Sequence, residues 1–578
     1  MVTKPNKHPY ALLGLDVGGV NSRVSLIGIS DGRYRLLGSG MAPTSLGLDL
    51  HIGSGIGQAM QTLQVKTDHL FLDETGGLLM PVDRIGRGLD RVGLVFSPGR
   101  KLNTALFSLS AQGSLRAARA LADSLPLATV AQLDYAQPMD EQRAIELLLS
   151  AMPEAMMITG GEEQGATEPL HWMIEIVRTL CGLLSHAVRP LILYAGNSAM
   201  ALTARERLER LGRLQVMPNL QPASGSFDLM PTKRFLEGEI LRSFQADLTG
   251  SERLSDLTEN LQGLTGCGAE RILRWLSQVK AHDSEGTPNS SLLSVDLGGL
   301  YTTLTASQQG VSGTVMLDKF PDLADPKRII AAQAICDWSD EPISLEEADQ
   351  FLCNHALLPR WVPDTQRALS LSLAYARHRL QAAMKRFAAN HDWFAYHPER
   401  GLQGHFEPVI ASGATFTQAP STVDVLLALL DGLQPRQITT IVLDRYHLLP
   451  LLAKFGEVEP VVPVHLLSSP AFENLGSIIS LVGYPPRGKP ALTVHVSTET
   501  GLNFSREIQH SKLTRLNIPQ GGTAVLELIP HRQVDIGFGG PGQGGRVKVV
   551  GGVLGLVIDA RGRPLQLPDR SETRIELL

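Results

Sequence analysis

Two distant stretches of the chain share one pattern of apolar and polar positions. The first is LLGLDVGGVNSRVSLIGI, residues 12–29, and the second is LLSVDLGGLYTTLTAS, residues 292–307. Each has an apolar run, an Asp, one further residue, two glycines and then an alternating run with small polar residues. Alternation and β-branching predict strands on both sides of each glycine pair. The sequence therefore predicts the same strand–turn–strand hairpin twice, 280 residues apart (296 − 16).

The rest of the pattern divides the chain into three parts. Up to about residue 285, strand-like and helix-like segments alternate, which is typical of an α/β layer. The second hairpin is followed by mainly helical segments, including a long helix whose mostly apolar flank predicts a packed face. The last ninety or so residues alternate as strands broken by glycines, which indicates a separate β-rich module. We predict an α/β fold with domains at residues 1–285, 290–484 and 490–578.

The glycine pairs permit two interpretations. Gly-Gly is a common tight turn, because glycine adopts positive φ without steric cost. Without a Cβ, glycines also let backbone N–H groups approach an anion closely, which is how a turn cradles phosphate. Rossmann and P-loop sites place a helix after the glycines, whereas strands are predicted here, and no Gly-x-x-x-x-Gly-Lys-Ser/Thr motif occurs. Two matching hairpins favour a two-lobed fold in which each lobe presents one hairpin to a shared cleft.

Composition narrows the class of protein. The chain has 578 residues, 43% of them hydrophobic, and a net charge of −6. It has no basic stripe with interleaved aromatics, which argues against nucleic acid as a partner, and no run of 18 apolar residues, which argues against a membrane span. The four cysteines form no Cys-x-x-Cys pair, and the N-terminus lacks a usable signal sequence. We therefore expect reduced thiols and a cytoplasmic protein.

Three short motifs follow one another along the chain. They are Asp16-x-Gly18-Gly19, Asp296-x-Gly298-Gly299 and Ser412-Gly413-Ala414. Their order resembles the nucleotide-binding pattern shared by actin, the seventy-kilodalton heat-shock chaperones and sugar kinases. Over nearly its whole length, the chain is similar to the MutL family associated with glutamate mutase, which is unrelated to the mismatch-repair protein of that name. This likeness rests on the two hairpins and on TGGEEQG, YAGN, VMPNL, IASGA, VLDRYHLL and GGVLGLVIDARGRPL.

The resemblance implies a two-lobed, actin-like ATPase (ribonuclease H-like) fold that binds ATP with Mg²⁺. Asp16 and Asp296 would face the Mg²⁺ ion, the four glycines would cradle the phosphates, and Ser412 to Ala414 would contact the nucleoside. The complete set of nucleotide-binding residues implied in this way is Asp16, Gly18, Gly19, Asn21, Ser22, Arg23, Asp296, Gly298, Gly299, Thr302, Thr303, Ser412, Gly413 and Ala414. The family is regarded as an ATP-dependent chaperone or reactivating factor for an adenosylcobalamin-dependent mutase, so a mutase subunit is the implied partner.

Some positions depart from the family pattern. Val20 replaces a small hydroxyl residue in the first hairpin, and Tyr301 stands where Thr is usual in the second. Thr303 stands where many members of the superfamily carry an Asp, and a hydroxyl does not replace a carboxylate at Mg²⁺. Phosphoryl transfer needs metal and water placed in line, so we predict binding with slow or absent hydrolysis, unless Glu162 or Glu163 supplies the acid. The catalytic residues stay unassigned.

Two other functions and two loops stay open. A small-molecule kinase of the same superfamily would need a catalytic Asp, for which no clear signature is found, and a non-hydrolysing scaffold would use both hairpins structurally. The loop TGGEEQGATEP, residues 159–169, fits a helix cap as well as a ligand cleft. The loop DARGRP, residues 559–564, fits a charged turn as well as a partner-facing surface.

Overall fold

The computed structural model divides into two compact units. The large unit comprises Met1–Ser97, Thr249–Gly313 and Leu317–Leu578, and the inserted unit comprises Pro98–Leu248 with Thr314–Met316. The domain boundaries given above remain predictions. The structure describes residues 10–45, 52–137, 139–246, 251–258, 261–283, 291–322, 324–339, 341–398, 400–486 and 489–565.

The first hairpin belongs to a five-stranded sheet of the large unit. Its strands are β1 (Ala11–Val17), β2 (Asn21–Ser30), β3 (Arg33–Pro43), β4 (Arg91–Phe96) and β10 (Gln262–Leu264). Their spatial order is β10-β4-β1-β2-β3. Strands β1, β2 and β3 pair antiparallel, whereas β4 runs parallel to β1 and β10 parallel to β4. Every residue of β1 is buried, which explains why its sequence is an almost unbroken apolar run.

The second hairpin opens an eight-stranded sheet of the same design. Its strands are β11 (Ser291–Leu297), β12 (Tyr301–Gln308), β13 (Val311–Asp318), β16 (Phe406–Ser412), β17 (Gln437–Asp444), β18 (Phe472–Ser480), β21 (Leu513–Leu516) and β24 (Leu556–Asp559). Their order is β13-β12-β11-β16-β17-β18-β24-β21. As in the first sheet, the strand that carries the Asp pairs antiparallel with the next strand and parallel with a later one. The repeated sequence pattern is therefore a repeated topology, which confirms the predicted fold class.

The C-terminal residues are rich in strands, as predicted. A four-stranded antiparallel sheet has the order β20-β19-β22-β23, and its strands are β19 (Pro490–Thr498), β20 (Asn503–Gln509), β22 (Thr523–Pro530) and β23 (Gly545–Val550). Alternate residues of β22 are buried, which is the signature of a sheet with one covered face. Strands β21 and β24 do not belong to this sheet, because they extend the eight-stranded one. A separate pair, β14 (Tyr396–His397) with β15 (Gly401–Leu402), forms a two-stranded sheet.

Helices of the large unit pack on these sheets or on one another. They are α1 (Gly53–Thr67), α7 (Ser251–Thr258), α8 (Thr265–Asp283), α9 (Lys327–Trp338), α10 (Leu345–Leu357), α11 (Gln366–Asn390), α12 (Ala414–Thr417), α13 (Thr422–Leu433), α14 (Leu449–Val458) and α15 (Val461–Leu467). The predicted apolar flank of α11 is buried, through Leu369, Leu371, Leu373, Tyr375, Ala376 and Leu380. Within the described residues, no helix combines the length and apolarity needed to cross a bilayer.

Helix α14 positions the centre of the candidate site. Its Leu451 and Phe455 lie in one core cluster with Leu12 of β1 and Leu292 of β11, so the helix joins residues of both sheets. A Cβ at Gly14 would lie 2.8 Å from Leu451 Cδ1, which shows how closely α14 approaches β1. The start of α14 is therefore fixed by core packing.

The inserted unit is a parallel α/β sheet. Its strands have the order β6-β5-β7-β8-β9 and all run parallel, and both β7 and β8 are completely buried, as expected for strands covered on both faces. The strands are β5 (Leu102–Ser108), β6 (Leu127–Asp134), β7 (Ala155–Gly160), β8 (Leu191–Gly196) and β9 (Arg213–Val216). The helices are α2 (Ser114–Asp123), α3 (Glu141–Ala151), α4 (Glu168–Leu183), α5 (Ala201–Leu208) and α6 (Met230–Ala246), with short 3₁₀ turns at His186–Val188 and Ser198–Met200.

The loop at residues 559–564 takes part in a buried network of ion pairs. Asp559 is fully buried and contacts Arg561 at 2.9 Å and Arg563 at 2.7 Å. Arg561 also reaches Asp431 of α13 at 2.7 Å, and Asp431 contacts Arg377 of α11 at 2.8 Å. The interpretation of this loop as a partner-facing surface is wrong, because its charged side chains point inward and pair with one another.

Candidate functional site

The two glycine turns have the same hydrogen bond. The backbone N–H of Gly18 donates to the carbonyl of Asn21 at 3.0 Å, and that of Gly298 donates to the carbonyl of Tyr301 at 3.0 Å. A Cβ at Gly18 would lie 2.8 Å from the Asn21 carbonyl oxygen, so the first turn leaves no room for a side chain there. The repeated motif thus builds the same tight turn at equivalent places in the two sheets.

The three sequence motifs meet in the large unit. A Cβ at Gly299 would lie 2.5 Å from Val20 Cγ2, so the tips of the hairpins touch. A Cβ at Gly413 would lie 2.3 Å from the carbonyl carbon of Leu297 and 2.4 Å from Asp296 Oδ1, and Gly413 has a φ of 94°. Only glycine fits such a close approach at positive φ. The third motif therefore packs directly on the second hairpin.

A histidine links the two aspartates of the hairpins. His447 Nδ1 lies 2.6 Å from Asp16 Oδ2, and His447 Nε2 lies 3.0 Å from Asp296 Oδ2. Burial alone would lower the pKa of His447, but the two carboxylates outweigh it and raise that pKa well above its ordinary value. The ring thus connects the aspartate of one hairpin to the aspartate of the other. Sequence reasoning gave His447 no role, and its only signal is a position just after a strand in VLDRYHLL.

A buried aspartate fixes the turn that carries this histidine. Asp444 ends β17, is fully buried, and its two carboxylate oxygens accept from the backbone N–H groups of Leu448 and Leu449 at 2.8 Å each. Its backbone carbonyl accepts from the hydroxyl of Ser412 at 2.9 Å. Burial raises the pKa of Asp444 in spite of these bonds. The first turn of α14 is thus capped, which sets the position of His447.

Each hairpin aspartate keeps one oxygen without a partner. Asp16 Oδ1 and Asp296 Oδ1 are buried and accept no hydrogen bond. An unpaired buried carboxylate oxygen is costly, so these atoms mark where a cation or a donor would be stabilised. Carboxylate oxygens suit Mg²⁺, which is usually held by one or two of them together with waters and substrate phosphates. The residues present therefore fit a Mg²⁺–nucleotide complex, although no group of three or more His, Cys, Asp or Glu ligands arises among the described residues.

Two cations that sequence reasoning missed border the second hairpin. The backbone N–H of Lys319 donates to the carbonyl of Leu300 at 2.7 Å, and its Nζ donates to Thr415 Oγ1 at 3.1 Å. Burial lowers the pKa of Lys319 to about 8, although Asp296 acts in the opposite direction. Arg379 Nε donates to Thr302 Oγ1 at 3.3 Å. Lys319 and Arg379 lie outside the motif in the sequence, so only the folded structure shows that they border the second hairpin.

The remaining predicted residues have different surroundings. Ser22 Oγ lies 2.9 Å from Thr44 Oγ1, so its hydroxyl already has a partner in the residue that follows β3. Arg23 lies opposite Asp16 in the β1–β2 ladder, and Thr303 lies opposite Asp296 in the β11–β12 ladder. Directly opposed residues present their side chains on one face of a sheet. A carboxylate at position 303 would therefore lie beside Asp296.

Motifs of the inserted unit gather at the carboxyl ends of its strands. Glu163 accepts from the Ser198 hydroxyl and from Asn219 Nδ2, the latter at 2.9 Å, and Asn219 also donates to the carbonyl of Gly161 at 2.8 Å. The Ser198 hydroxyl, opposed by partial burial, lowers the pKa of Glu163. These bonds tie TGGEEQG to VMPNL and to Ser198, the residue after YAGN, so Glu163 has a role in holding its own loop. The proposal that Glu162 or Glu163 replaces the missing acid stays a prediction.

The family model described as MutL protein matches residues 12–470. The chain belongs to this family. The resemblance stated from the motifs is thereby confirmed. No curated protein sequence matches the chain.

Among solved structures, xylulose kinase from Bifidobacterium adolescentis is 11% identical, with 81% of this chain and 96% of that chain covered and a TM-score of 0.27. Gluconate kinase from Lactobacillus acidophilus is 9% identical, with 81% and 93% covered and a TM-score of 0.30. A Ppx/GppA phosphatase from Aquifex aeolicus is 10% identical, with 71% and 69% covered and a TM-score of 0.16. Likenesses this distant carry no argument about the site.

Proposed function

We propose that this chain binds ATP with Mg²⁺ at the two hairpins and acts as a chaperone or reactivating factor for an adenosylcobalamin-dependent mutase. One observation carries the nucleotide site. The unpartnered oxygens of Asp16 and Asp296 belong to carboxylates that one histidine bridges, beside the cations Lys319 and Arg379. A site with carboxylates for a metal and cations for phosphate has the charge pattern that a metal–polyphosphate complex needs.

Each motif has a part in this site. Asp16 and Asp296 would hold Mg²⁺, which when bound neutralises phosphate charge. The backbone N–H groups of Gly18 and Gly298 already donate within their turns, so those of Gly19 and Gly299 would cradle phosphate oxygens, which can approach closely because glycine has no Cβ. Lys319 would add a charge-assisted hydrogen bond to phosphate. Residues 412–414 would border the nucleoside.

Slow hydrolysis is part of the proposal. The position opposite Asp296 holds a threonine, which cannot act as a metal ligand or base in the way a carboxylate does. The nucleotide would then act chiefly by being bound, with hydrolysis slow or absent in the isolated chain. The mutase partner is supported by membership of the MutL family.

A reactivation assay tests the partner role. An adenosylcobalamin-dependent mutase is first inactivated with its damaged cobalamin in place, and then incubated with the chain, ATP, Mg²⁺ and fresh adenosylcobalamin. We expect mutase activity to return only when chain and nucleotide are both present, and not with the Asp296→Asn variant. If the wild-type chain binds ATP but restores no activity to any such mutase, the reactivating role is refuted and the nucleotide site stands alone.

A further inference from the structure

We propose that a cavity of the inserted unit binds a small aliphatic carboxylate, with the apolar chain inside the cavity and the carboxylate against Arg189. The cavity has a volume of about 310 Å³ and lies between the ends of α3 and α4. Its lining residues 153–154 and 189–190 come directly before β7 and β8, so it lies at the amino ends of these strands. The loops that Glu163 holds lie at the opposite ends. This site is independent of the proposed nucleotide site, which belongs to the large unit.

The wall of the cavity is apolar and partly open to solvent. Leu148 and Leu180 are buried, whereas Leu149, Met152 and Val188 are 37%, 55% and 50% exposed. Exposed apolar side chains are ordinary when they are scattered, but grouped around a cavity they are typical of a ligand site. The large apolar residues of the lining are Leu148, Leu149, Met152, Leu180, Leu184 and Val188.

Met152 has a backbone conformation that favours other residues. It caps α3 with a φ of 45°, in the left-handed region where Gly or Asn is usual. Its backbone N–H donates to the carbonyl of Leu148 at 3.0 Å, a bond that glycine would make equally well. Because the methionine side chain is largely exposed, core packing does not explain its presence. Contact with an apolar ligand explains both the residue type and its exposure.

Two charged residues line the cavity, and only one of them has its charge matched. Glu154 accepts from Arg100 Nη1 at 2.9 and 3.1 Å and from the backbone N–H of Asn103 at 3.0 Å. Arg189 has a neutral partner, because its Nε donates to the carbonyl of Leu184 at 3.3 Å. Within the described part of the chain, no carboxylate forms an ion pair with Arg189. An unmatched guanidinium beside an apolar cavity selects a ligand with an anionic head and an apolar chain.

The volume limits the length of the ligand. A water molecule occupies about 30 Å³ in the liquid, so the cavity holds about ten atoms of that size, which is the number of non-hydrogen atoms in octanoate. Each CH₂ group that enters the cavity should raise the affinity about fourfold. The affinity should therefore rise from butanoate to octanoate and level off with longer chains.

Ligand-observed NMR titrations of the full chain with octanoate and 1-octanol separate the contribution of the charge from that of the chain. Arg189→Met keeps an unbranched side chain and removes the charge. We expect it to weaken octanoate binding about tenfold or more, the contribution of a charge-assisted hydrogen bond, with 1-octanol binding unchanged. Arg189→Lys should retain most of the octanoate affinity. Arg143→Met, a change at an exposed arginine of α3 outside the cavity, should bind both ligands like wild type.

Two further measurements place the ligand in the cavity. Met152→Asn keeps a residue that tolerates left-handed φ and removes apolar contact, so it should weaken octanoate and 1-octanol alike. In the wild-type chain, octanoate should slow hydrogen exchange of peptides covering residues 148–154 and 180–190, because a ligand stabilises the segments that contact it.

Four results would overturn the inference. The first is no saturable binding of octanoate by wild type at millimolar concentrations. The second is an equal loss of octanoate and 1-octanol binding in Arg189→Met, because Arg189 would then hold the end of α4 and not the ligand. The third is slowed exchange only in peptides away from the cavity. The fourth is an affinity that does not change from butanoate to octanoate, a result that needs no variant and holds even if Arg189→Met fails to fold.

Discussion

Replacing Gly299 by alanine tests whether the two hairpins meet as the structure has them. The added Cβ would lie 2.5 Å from Val20 Cγ2 and 2.9 Å from Val20 Cβ. Non-bonded carbons are comfortable at about 3.5–4.0 Å, so one side must retreat by about 1 Å. Val20 is only 6% exposed and has little space to move into. Overpacking of this kind costs about 1–3 kcal/mol of unfolding free energy.

A double-mutant cycle attributes this cost to the contact. Val20→Ala alone removes two buried methyl groups and should cost about 2 kcal/mol. In the double variant, the new methyl at residue 299 occupies space that Val20 has left. The double variant should therefore cost less than the sum of the single changes, by about 1–3 kcal/mol, as for residues in direct contact.

Hydrogen exchange of peptides from the hairpins is the suitable assay. It reports local opening free energies, whereas a chain of several structural units does not melt as one two-state system. Gly57→Ala is the control, because a Cβ at Gly57 meets nothing within 4 Å, and its effect should add to that of Val20→Ala. If the changes in opening free energy caused by Gly299→Ala and Val20→Ala also add to within about 0.5 kcal/mol, the hairpins do not touch and the reasoning is refuted.

Three further changes probe the site and the buried ion network. Thr303→Asp should raise ATP turnover with similar nucleotide affinity, the pattern of an effect on the transition state; unchanged single-turnover rates would contradict it. Lys319→Met should weaken ATP binding about tenfold or more while leaving adenosine binding unchanged, and an equal loss for both ligands in competition assays would argue against a phosphate contact. Arg561→Met should cost about 3 kcal/mol, since Asp431 and Asp559 lose a buried partner. Burial opposes ionisation of Asp431, but Arg561 and Arg377 hold the pKa of Asp431 below its usual range. The stabilisation that the ionised Asp431 carboxylate contributes is therefore present above about pH 4, and is lost as the pH falls through the lowered pKa. Arg561→Met should therefore flatten the acid dependence of the local opening free energy that hydrogen exchange reports for peptides around residue 431, and an undiminished slope would contradict this assignment.

The hairpins could be predicted because their signals are local. An Asp at a strand end, two glycines and a β-branched run lie within one short stretch, and a tight turn follows from those residues alone. Their repetition then predicted a repeated topology, which the two sheets confirm. Gly413 could also be predicted as a site residue, since it follows a buried strand. The reason that a glycine is needed there, its close contact with Asp296, is visible only in the fold.

The centre of the site could not be predicted, because it depends on contacts far apart along the chain. His447 and Asp16 are 431 residues apart, and His447 and Asp296 are 151 apart. No periodicity links such positions, and a histidine after a strand is compatible with many surroundings. The sequence left open whether the loop containing Asp559 and Arg561 faces outward, for a related reason: charge usually indicates exposure, whereas here opposite charges are buried together.

Calorimetric titration with ATP and Mg²⁺ tests the central claim most directly, namely that the two hairpins form one Mg²⁺–nucleotide site. The account predicts saturable binding by wild type that depends on Mg²⁺, and loss of that dependence in both Asp16→Asn and Asp296→Asn. Asp31→Asn, a change at an exposed turn residue with a φ of 52°, should bind like wild type. Binding of ATP and Mg²⁺ by both hairpin variants with wild-type affinity, or no binding by wild type at all, would contradict the account.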